Sequence, residues 1–440
     1  MIFQDSIVSL SSGRLPSGVA VVRLSGPGVR SAIETITGSL PEPRIARYGR
    51  LRAPDGSKLD DALTLFFPGP HSFTGEDSAE FHVHGGRAVV SAILERVGEL
   101  DGFRQAEPGE FTRRAFLNGK LDLLEAEALA DLVSAETEAQ RRFAASNSEG
   151  RQSELYMDWR RRLIHARAMI EAEMDFAGED DIPGSVSSTI WADVAEMIED
   201  IREHLAGFRR AEIIRDGFDV LIIGAPNAGK SSLLNALAKR DVAIVTDEAG
   251  TTRDLVEVML DLDGLKVWLT DTAGIRDGAG KVEAIGIARA IDRARNADLV
   301  LQIEDLTSPV AVAELVGLKN VLRIGTKIDL AGADGARALY DHRISVVTGQ
   351  GIAELIATIG AKATIAAGDT SDVLPSRQRH VELLQGTANH LEIAIATAAG
   401  SLELASENLR LASDQLGRIS GAIAPDDLLD VIFSHFCIGK

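Results

Sequence analysis

The stretch GAPNAGKSSLLNALA, residues 224 to 238, decides how the middle of this chain folds. From Gly224 to Ser231 it has the spacing G-x-x-x-x-G-K-S, it follows the apolar run FDVLIIG, and it opens an amphipathic segment of helical texture. A glycine-bearing turn between a strand and a helix leaves N–H groups unpaired at the helix start, and these can hold phosphate oxygens. In that setting Lys230 reaches the terminal phosphates and Ser231 offers its hydroxyl to magnesium. Pro226 and Asn227 stand where many such loops carry glycines, and on local grounds Asn227 is a turn former after proline. For one match alone, a plain glycine turn before a helix is the alternative.

The match does not stand alone. AGTTRD brings Thr252 as a second hydroxyl for magnesium, and LTDTAG puts Asp271 at a strand end with Gly274 completing D-x-x-G. IGTKID then places Lys327 and Asp329 after another strand, where the aspartate accepts from the N1 and N2 donors of guanine, which adenine lacks. SVVTGQG follows at the spacing of a last base-contact loop. Five elements in this order predict a guanine-nucleotide switch that uses GTP and magnesium. The expected nucleotide contacts are Asn227, Ala228, Gly229, Lys230, Ser231 and Ser232; then Thr246, Asp247, Glu248, Ala249, Gly250, Thr251 and Thr252; then Asp271, Thr272, Ala273 and Gly274; and Thr326, Lys327 and Asp329.

Two positions depart from the usual pattern. Thr326 replaces the asparagine of the base-reading motif, so an amide contact is lost and a hydroxyl is expected to replace part of it. Ile275 occupies the place of the glutamine that orients the attacking water in many GTPases. Water activation then falls to another group, and Glu283 in KVEAIGIARA offers a carboxylate, a solvated helix-face glutamate being the alternative. Arg253 and Arg276 lie nearby, each readable as a charge for the transition state or as a surface arginine.

Around this segment the chain divides. With 440 residues, two or three domains are expected. Residues 1–118 read as mixed α/β, 119–213 and 369–440 as two parts of a helical domain, and 214–368 as an inserted P-loop domain with a mostly parallel sheet. The net charge of -20 excludes a globally basic nucleic-acid-binding surface. A single cysteine, Cys437, excludes an internal disulfide framework, and no apolar run reaches membrane-spanning length, so a soluble cytoplasmic protein is expected.

Taken together, GAPNAGKSSLLNALAKRDVAIVTDEAGTTRD, DTAGIR, VEAIGI, PHSFTGED, HVHGG, EPGEFTRRAFLNGKLDLLEAEALADL and the closing FCIGK resemble the MnmE (TrmE) family of tRNA-modification GTPases along the whole chain. The resemblance implies a potassium ion beside the phosphates, held by Asn227 with Thr246, Glu248 and Thr251, and a catalytic role for Glu283 and Arg276. It implies an N-terminal domain that dimerises and binds a tetrahydrofolate derivative, 5,10-methylene or 5-formyl, through Arg23, Glu80, Lys120 and Lys440. Cys437, by composition a small buried apolar residue, becomes a catalytic candidate beside that pocket. The implied activity is potassium-dependent GTP hydrolysis that, with an FAD-dependent partner subunit in a heterotetramer, adds an aminomethyl or carboxymethylaminomethyl group to C5 of the tRNA wobble uridine. The alternative is a regulatory or ribosome-assembly GTPase without modification activity. From the residues themselves, Glu80, His82 and His84 share one strand face, readable as a weak zinc site or as the wall of a small-molecule pocket.

Overall fold

Alternating burial along Ser17–Ser25, with Ala20, Val22 and Leu24 inside and Val19, Val21 and Arg23 outside, shows how the first sheet is built. The computed structural model describes residues 3–175, 186–240, 242–244, 257–271, 293–309, 320–330, 339–423, 426–434, 436 and 439. The chain forms two compact units, one of residues 1–130, 148–194 and 389–440, the other of residues 131–147 and 195–388.

The first unit starts with β1 (Ser6–Leu10), β2 (Ser17–Ser25), α1 (Val29–Thr37), β3 (Arg47–Arg52), β4 (Lys58–Phe67), β5 (Ser78–Gly85), α2 (Arg87–Gly98), β6 (Phe103–Gln105) and α3 (Glu110–Leu117). Its six strands lie in the order β3-β4-β5-β2-β1-β6, antiparallel except for the β1–β6 pair. Val29, Ile33 and Ile36 of α1 and Val90, Ile93 and Val97 of α2 cover one face with Val22, Leu24, Phe66 and Phe81. The opposite face keeps Arg23, Glu80 and His82.

Then follow α4 (Leu123–Ser134), α5 (Glu138–Ser148), α6 (Arg151–Asp175), α7 (Val186–Ala206) and α8 (Phe208–Asp216). The second unit continues with β7 (Phe218–Gly224), α9 (Lys230–Ala238), β8 (Glu257–Leu262), β9 (Leu265–Asp271), β10 (Leu299–Asp305), β11 (Val321–Thr326), β12 (His342–Arg343) and α10 (Ile352–Ala367). The chain closes with α11 (Gln378–Ala398), α12 (Leu402–Ser420) and α13 (Asp426–Ser434).

In the first unit, Tyr156, Trp159, Leu163, Ala166 and Ile170 of α6 and Ala405, Leu409, Ala412, Leu416 and Ile419 of α12 are buried, each set at alternating steps of three and four. That spacing makes a straight apolar seam. Contacts of Ser420 with Met157 and of Ser406 with Glu171 show that the two helices run antiparallel.

The second sheet runs β12-β11-β10-β7-β9-β8, parallel except for the β8–β9 hairpin, as the alternation of short apolar runs and helical segments predicts. Val220 and Ile222 bury on one side of β7, and Leu221 and Ile223 pack on the other with Ala294 and Val300. Burial on both faces explains why FDVLIIG is continuously apolar instead of alternating. Among the described residues no helix is long and apolar enough to cross a membrane.

Candidate functional site

The parallel strands β7, β9, β10 and β11 deliver Gly224, Asp271, Asp305 and Thr326 to one edge of the second sheet. Crevices beyond the carboxyl ends of parallel strands are where open α/β sheets bind ligands. Gly224 is required there because a Cβ would stand 2.4 Å from the Ile303 carbonyl oxygen of the adjoining strand. The loop then turns through Asn227 (φ 64°) and Gly229 (φ 102°), both left-handed, before α9 begins at Lys230. This geometry leaves the first N–H groups of α9 free of helical partners, in an anion-binding arrangement.

Lys230 is nearly buried, and its ammonium donates to the carbonyls of Gly224 (2.9 Å) and Ala225 (3.0 Å), curling over its own loop. The Ser231 hydroxyl donates to Asp271 Oδ2 at 2.9 Å, with Asp271 only 2% exposed. A hydroxyl and a carboxylate together at a helix start are the hard oxygen donors that magnesium takes, so these residues fit that ion.

Thr326 does something the sequence reading does not assign to it. Its hydroxyl lies 2.7 Å from the Ala228 carbonyl oxygen and 3.2 Å from that of Glu304, so it fastens the phosphate loop where a base contact was expected. Lys327, at φ 59°, donates to the Asn227 carbonyl (3.2 Å) and to Asp305 Oδ2 (2.5 Å). Asp305 sits at about 2: burial pushes its carboxyl up, but Lys327 and the hydroxyl and N–H of Thr307 pull it down further. Asp329 is exposed in the turn after β11, and the segment Ser345–Gly351 closes beside it through Ile328 N–H to the Ile344 carbonyl. The Asn227 side chain is exposed and makes no hydrogen bond to a described residue, while its carbonyl accepts from Lys327.

A second polar cluster occupies the uncovered face of the first sheet. Arg23 and Glu80 are direct neighbours across β2 and β5, joined at 2.9 Å and 3.1 Å through one carboxylate oxygen. The other oxygen meets His82 Nε2 at 3.1 Å. The Arg23 guanidinium lies 5.9 Å from the ring centres of both Phe73 and Phe111, and Lys120 donates to the Pro70 carbonyl at 3.1 Å. A few polar groups beside an exposed aromatic ring are the kind of lining that orients a small ligand. His84 turns away to Asp60, and no group of three or more histidine, cysteine, aspartate or glutamate side chains gathers as a metal site among the described residues.

The cluster rests on a network whose long-range pairs, to Asp5 and Glu76, no local sequence pattern reveals. Arg114, fully buried, bonds Asp5 (2.9 Å), Glu76 (3.2 Å) and Glu110 (2.9 Å). Glu76 also accepts from Ser25 at 2.8 Å, Thr74 bonds the same serine at 2.7 Å, and Asn118 donates to the Thr74 carbonyl at 2.7 Å. These bonds fix the Pro70–Asp77 loop that supplies Phe73 and the Pro70 carbonyl. Although burial raises the Glu110 carboxyl, Arg104, the Glu107 N–H and Arg114 together hold it below its ordinary range.

A family model described as MnmE helical domain matches residues 123–437, and one described as GTP-binding protein TrmE N-terminus matches residues 6–120. The chain belongs to the MnmE/TrmE family. It is 64% identical over 443 residues to the tRNA modification GTPase MnmE of Mesorhizobium japonicum, across 100% of both chains. It is 55% identical over 437 residues to the MnmE of Brucella anthropi, covering 99% of this chain and 98% of that one. With the MnmE of a Chelativorans species the identity is 56% over 437 residues, again covering 99% and 98%.

Several of the residues expected at the sites, from the nucleotide-switch motifs or from the family resemblance, lie outside the described residues: Thr246, Asp247, Glu248, Ala249, Gly250, Thr251, Thr252, Thr272, Ala273, Gly274, Arg276, Glu283, Cys437 and Lys440. Between the last two, Gly439 is described. Its carbonyl accepts from the Ser11 hydroxyl at 2.7 Å, and a Cβ there would stand 2.2 Å from the Leu10 carbonyl oxygen, so the FCIGK glycine lies against the end of β1.

Proposed function

We propose that this chain is a GTP hydrolase that acts with a partner subunit in modifying the wobble uridine of tRNA, and that its hydrolysis depends on potassium. The observation that carries the reading is the gathering of Lys230, Ser231, Asp271 and the Thr326–Asp329 turn at one sheet edge, in a chain that is an MnmE relative over its full length. Lys230 and the N–H groups at the start of α9 bind the phosphates, and Asp329 accepts from the guanine N1 and N2 donors. Glu283 orients the attacking water in place of a glutamine, with Arg276 in the same segment. Magnesium, held by Ser231 and Thr252, and potassium, held by Asn227, Thr246, Glu248 and Thr251, supply positive charge to the developing phosphate when bound.

In the N-terminal part, Arg23, Glu80, Lys120 and Lys440 hold a tetrahydrofolate derivative, in its 5,10-methylene or 5-formyl form, which supplies the added carbon when bound. Cys437 belongs to the same tail and is assigned to that site. The N-terminal domain pairs with a second copy in a homodimer, and an FAD-dependent partner subunit completes a heterotetramer that installs the aminomethyl or carboxymethylaminomethyl group at C5. At a net charge of -20, this chain leaves much of the tRNA affinity to the partner or to a composite cleft. The test is nucleoside mass spectrometry of tRNA incubated with the chain, the flavin-bearing partner, GTP and the one-carbon donor. Ser231→Ala serves as the comparison and is expected to abolish the product.

A further inference from the structure

The contacts of Lys327 and Thr326 form a clamp on the phosphate loop. Two consecutive carbonyls of that loop, those of Asn227 and Ala228, are held by two consecutive residues of β11 and its turn, Lys327 and Thr326. Asn227 and Lys327 are both at positive φ, which asparagine tolerates but a lysine keeps only where its surroundings fix it. For Lys327 the fixing group is Asp305, at the end of β10 and in register with Thr326. The Asp305 carboxylate is itself pinned, because its second oxygen accepts from the Thr307 N–H at 2.9 Å and from the Thr307 hydroxyl at 2.6 Å. The contact that the described residues make with Asn227 is through its backbone, whose carbonyl Lys327 holds and from which the amide side chain starts.

We propose that Asp305 is a positioning residue: through Lys327 it fixes the Asn227 peptide, so that base recognition and cation binding at the phosphate loop are set by one rigid unit. The inference rests on the reading of Asn227 as a potassium ligand. Lys327 is two residues before Asp329, so the turn that meets guanine also aims the amide that meets the cation. A base that seats well against this turn tightens the loop, and a loosened turn releases the Asn227 amide while leaving the Ser231–Asp271 pair in place.

The experiment uses the full chain with Asp305→Asn, which keeps the size of the side chain and its acceptor for Thr307 but removes the charge that holds Lys327. Thr307→Val, an exposed position, is the second variant should the first fold poorly. Two quantities are titrated with potassium chloride against sodium chloride at constant ionic strength: the GTP hydrolysis rate and the affinity for a fluorescent non-hydrolysable GTP analogue. The expected result is at least about a fivefold rise in half-saturating potassium for Asp305→Asn in both readouts. Thr307→Val shifts the same way by less, and the analogue's affinity in sodium changes by a smaller factor than the potassium constant. A wild-type chain that responds to potassium with variants whose half-saturation is unchanged overturns the clamp and leaves the potassium reading standing. A wild-type chain indifferent to potassium in both readouts overturns that reading and, with it, this inference.

Discussion

Replacing Thr326 by valine separates two roles for that position, fastening the phosphate loop and reading the base. Valine matches threonine in shape, so the perturbation is the loss of one hydroxyl that donates toward the Ala228 carbonyl at 2.7 Å and lies 3.2 Å from the Glu304 carbonyl. The side is closed to solvent, with Thr326 and Ala228 each 2% exposed. A buried acceptor left without its donor costs about 1–3 kcal/mol, and each 1.4 kcal/mol is about tenfold in an equilibrium constant. If half of that cost falls on the nucleotide-ready loop, GDP affinity drops by roughly 2- to 12-fold. The assay is displacement of a fluorescent GDP analogue from the full chain by GDP, IDP and XDP. Because the hydroxyl engages the loop, all three should weaken by the same factor, leaving the selectivity ratios within about twofold of wild type. A variant that binds IDP as before but loses its preference for GDP would refute the reasoning and return Thr326 to the base.

The remaining predictions concern the stability of each unit. Burial first, and then the charge of His380, push His204 down to about 4 from its ordinary 6.5. The neutral imidazole is the folded form, so its contribution is complete above pH 6.5 and is lost as the pH falls toward 4; a shift of 2.5 units corresponds to at most about 3 kcal/mol. Stability to urea of the unit formed by residues 131–147 and 195–388 should therefore weaken between pH 7 and pH 4.5 in the full chain, and His204→Leu should flatten that dependence. Arg114→Met should destabilise the N-terminal unit by roughly 3–5 kcal/mol, because Glu76 and Glu110 stay buried without their shared cation. Thermal unfolding followed by circular dichroism checks this, and an unchanged midpoint would mean that the network contributes nothing net.

Much of the nucleotide site is legible because its parts are local. Gly224, Lys230 and Ser231 lie within one strand–turn–helix, and Asp271 and Thr326 end short apolar runs whose direction the parallel sheet fixes. Asp305 also ends such a run, but QIED carries no motif, and only the register of β10 against β11 reveals that it faces Lys327. The Thr326 hydroxyl illustrates a further limit: a motif names a position, whereas the rotamer and the nearest acceptor decide what the side chain does there. In the N-terminal unit, the Arg23–Glu80 pair follows from strand pairing that no local pattern encodes. In the buried Arg114 network the Glu110–Arg114 pair is a local one, four residues apart on α3, but the links of Arg114 to Asp5 and Glu76 emerge only once the sheet order is known. Likewise, the shared face of Glu80, His82 and His84 is visible as a period of two, but the turn of His84 toward Asp60 depends on the neighbouring strand β4.

The most direct test of the account is the mass of the wobble nucleoside after incubation of unmodified tRNA with the full chain, the proposed flavin-bearing partner, the proposed folate donor and GTP in potassium buffer. The account predicts a C5-aminomethyl or carboxymethylaminomethyl uridine that appears with GTP and is absent with GDP or with Ser231→Ala. Unmodified uridine in every arm, from a preparation that hydrolyses GTP at full rate, would contradict it and leave a nucleotide switch that serves some other process.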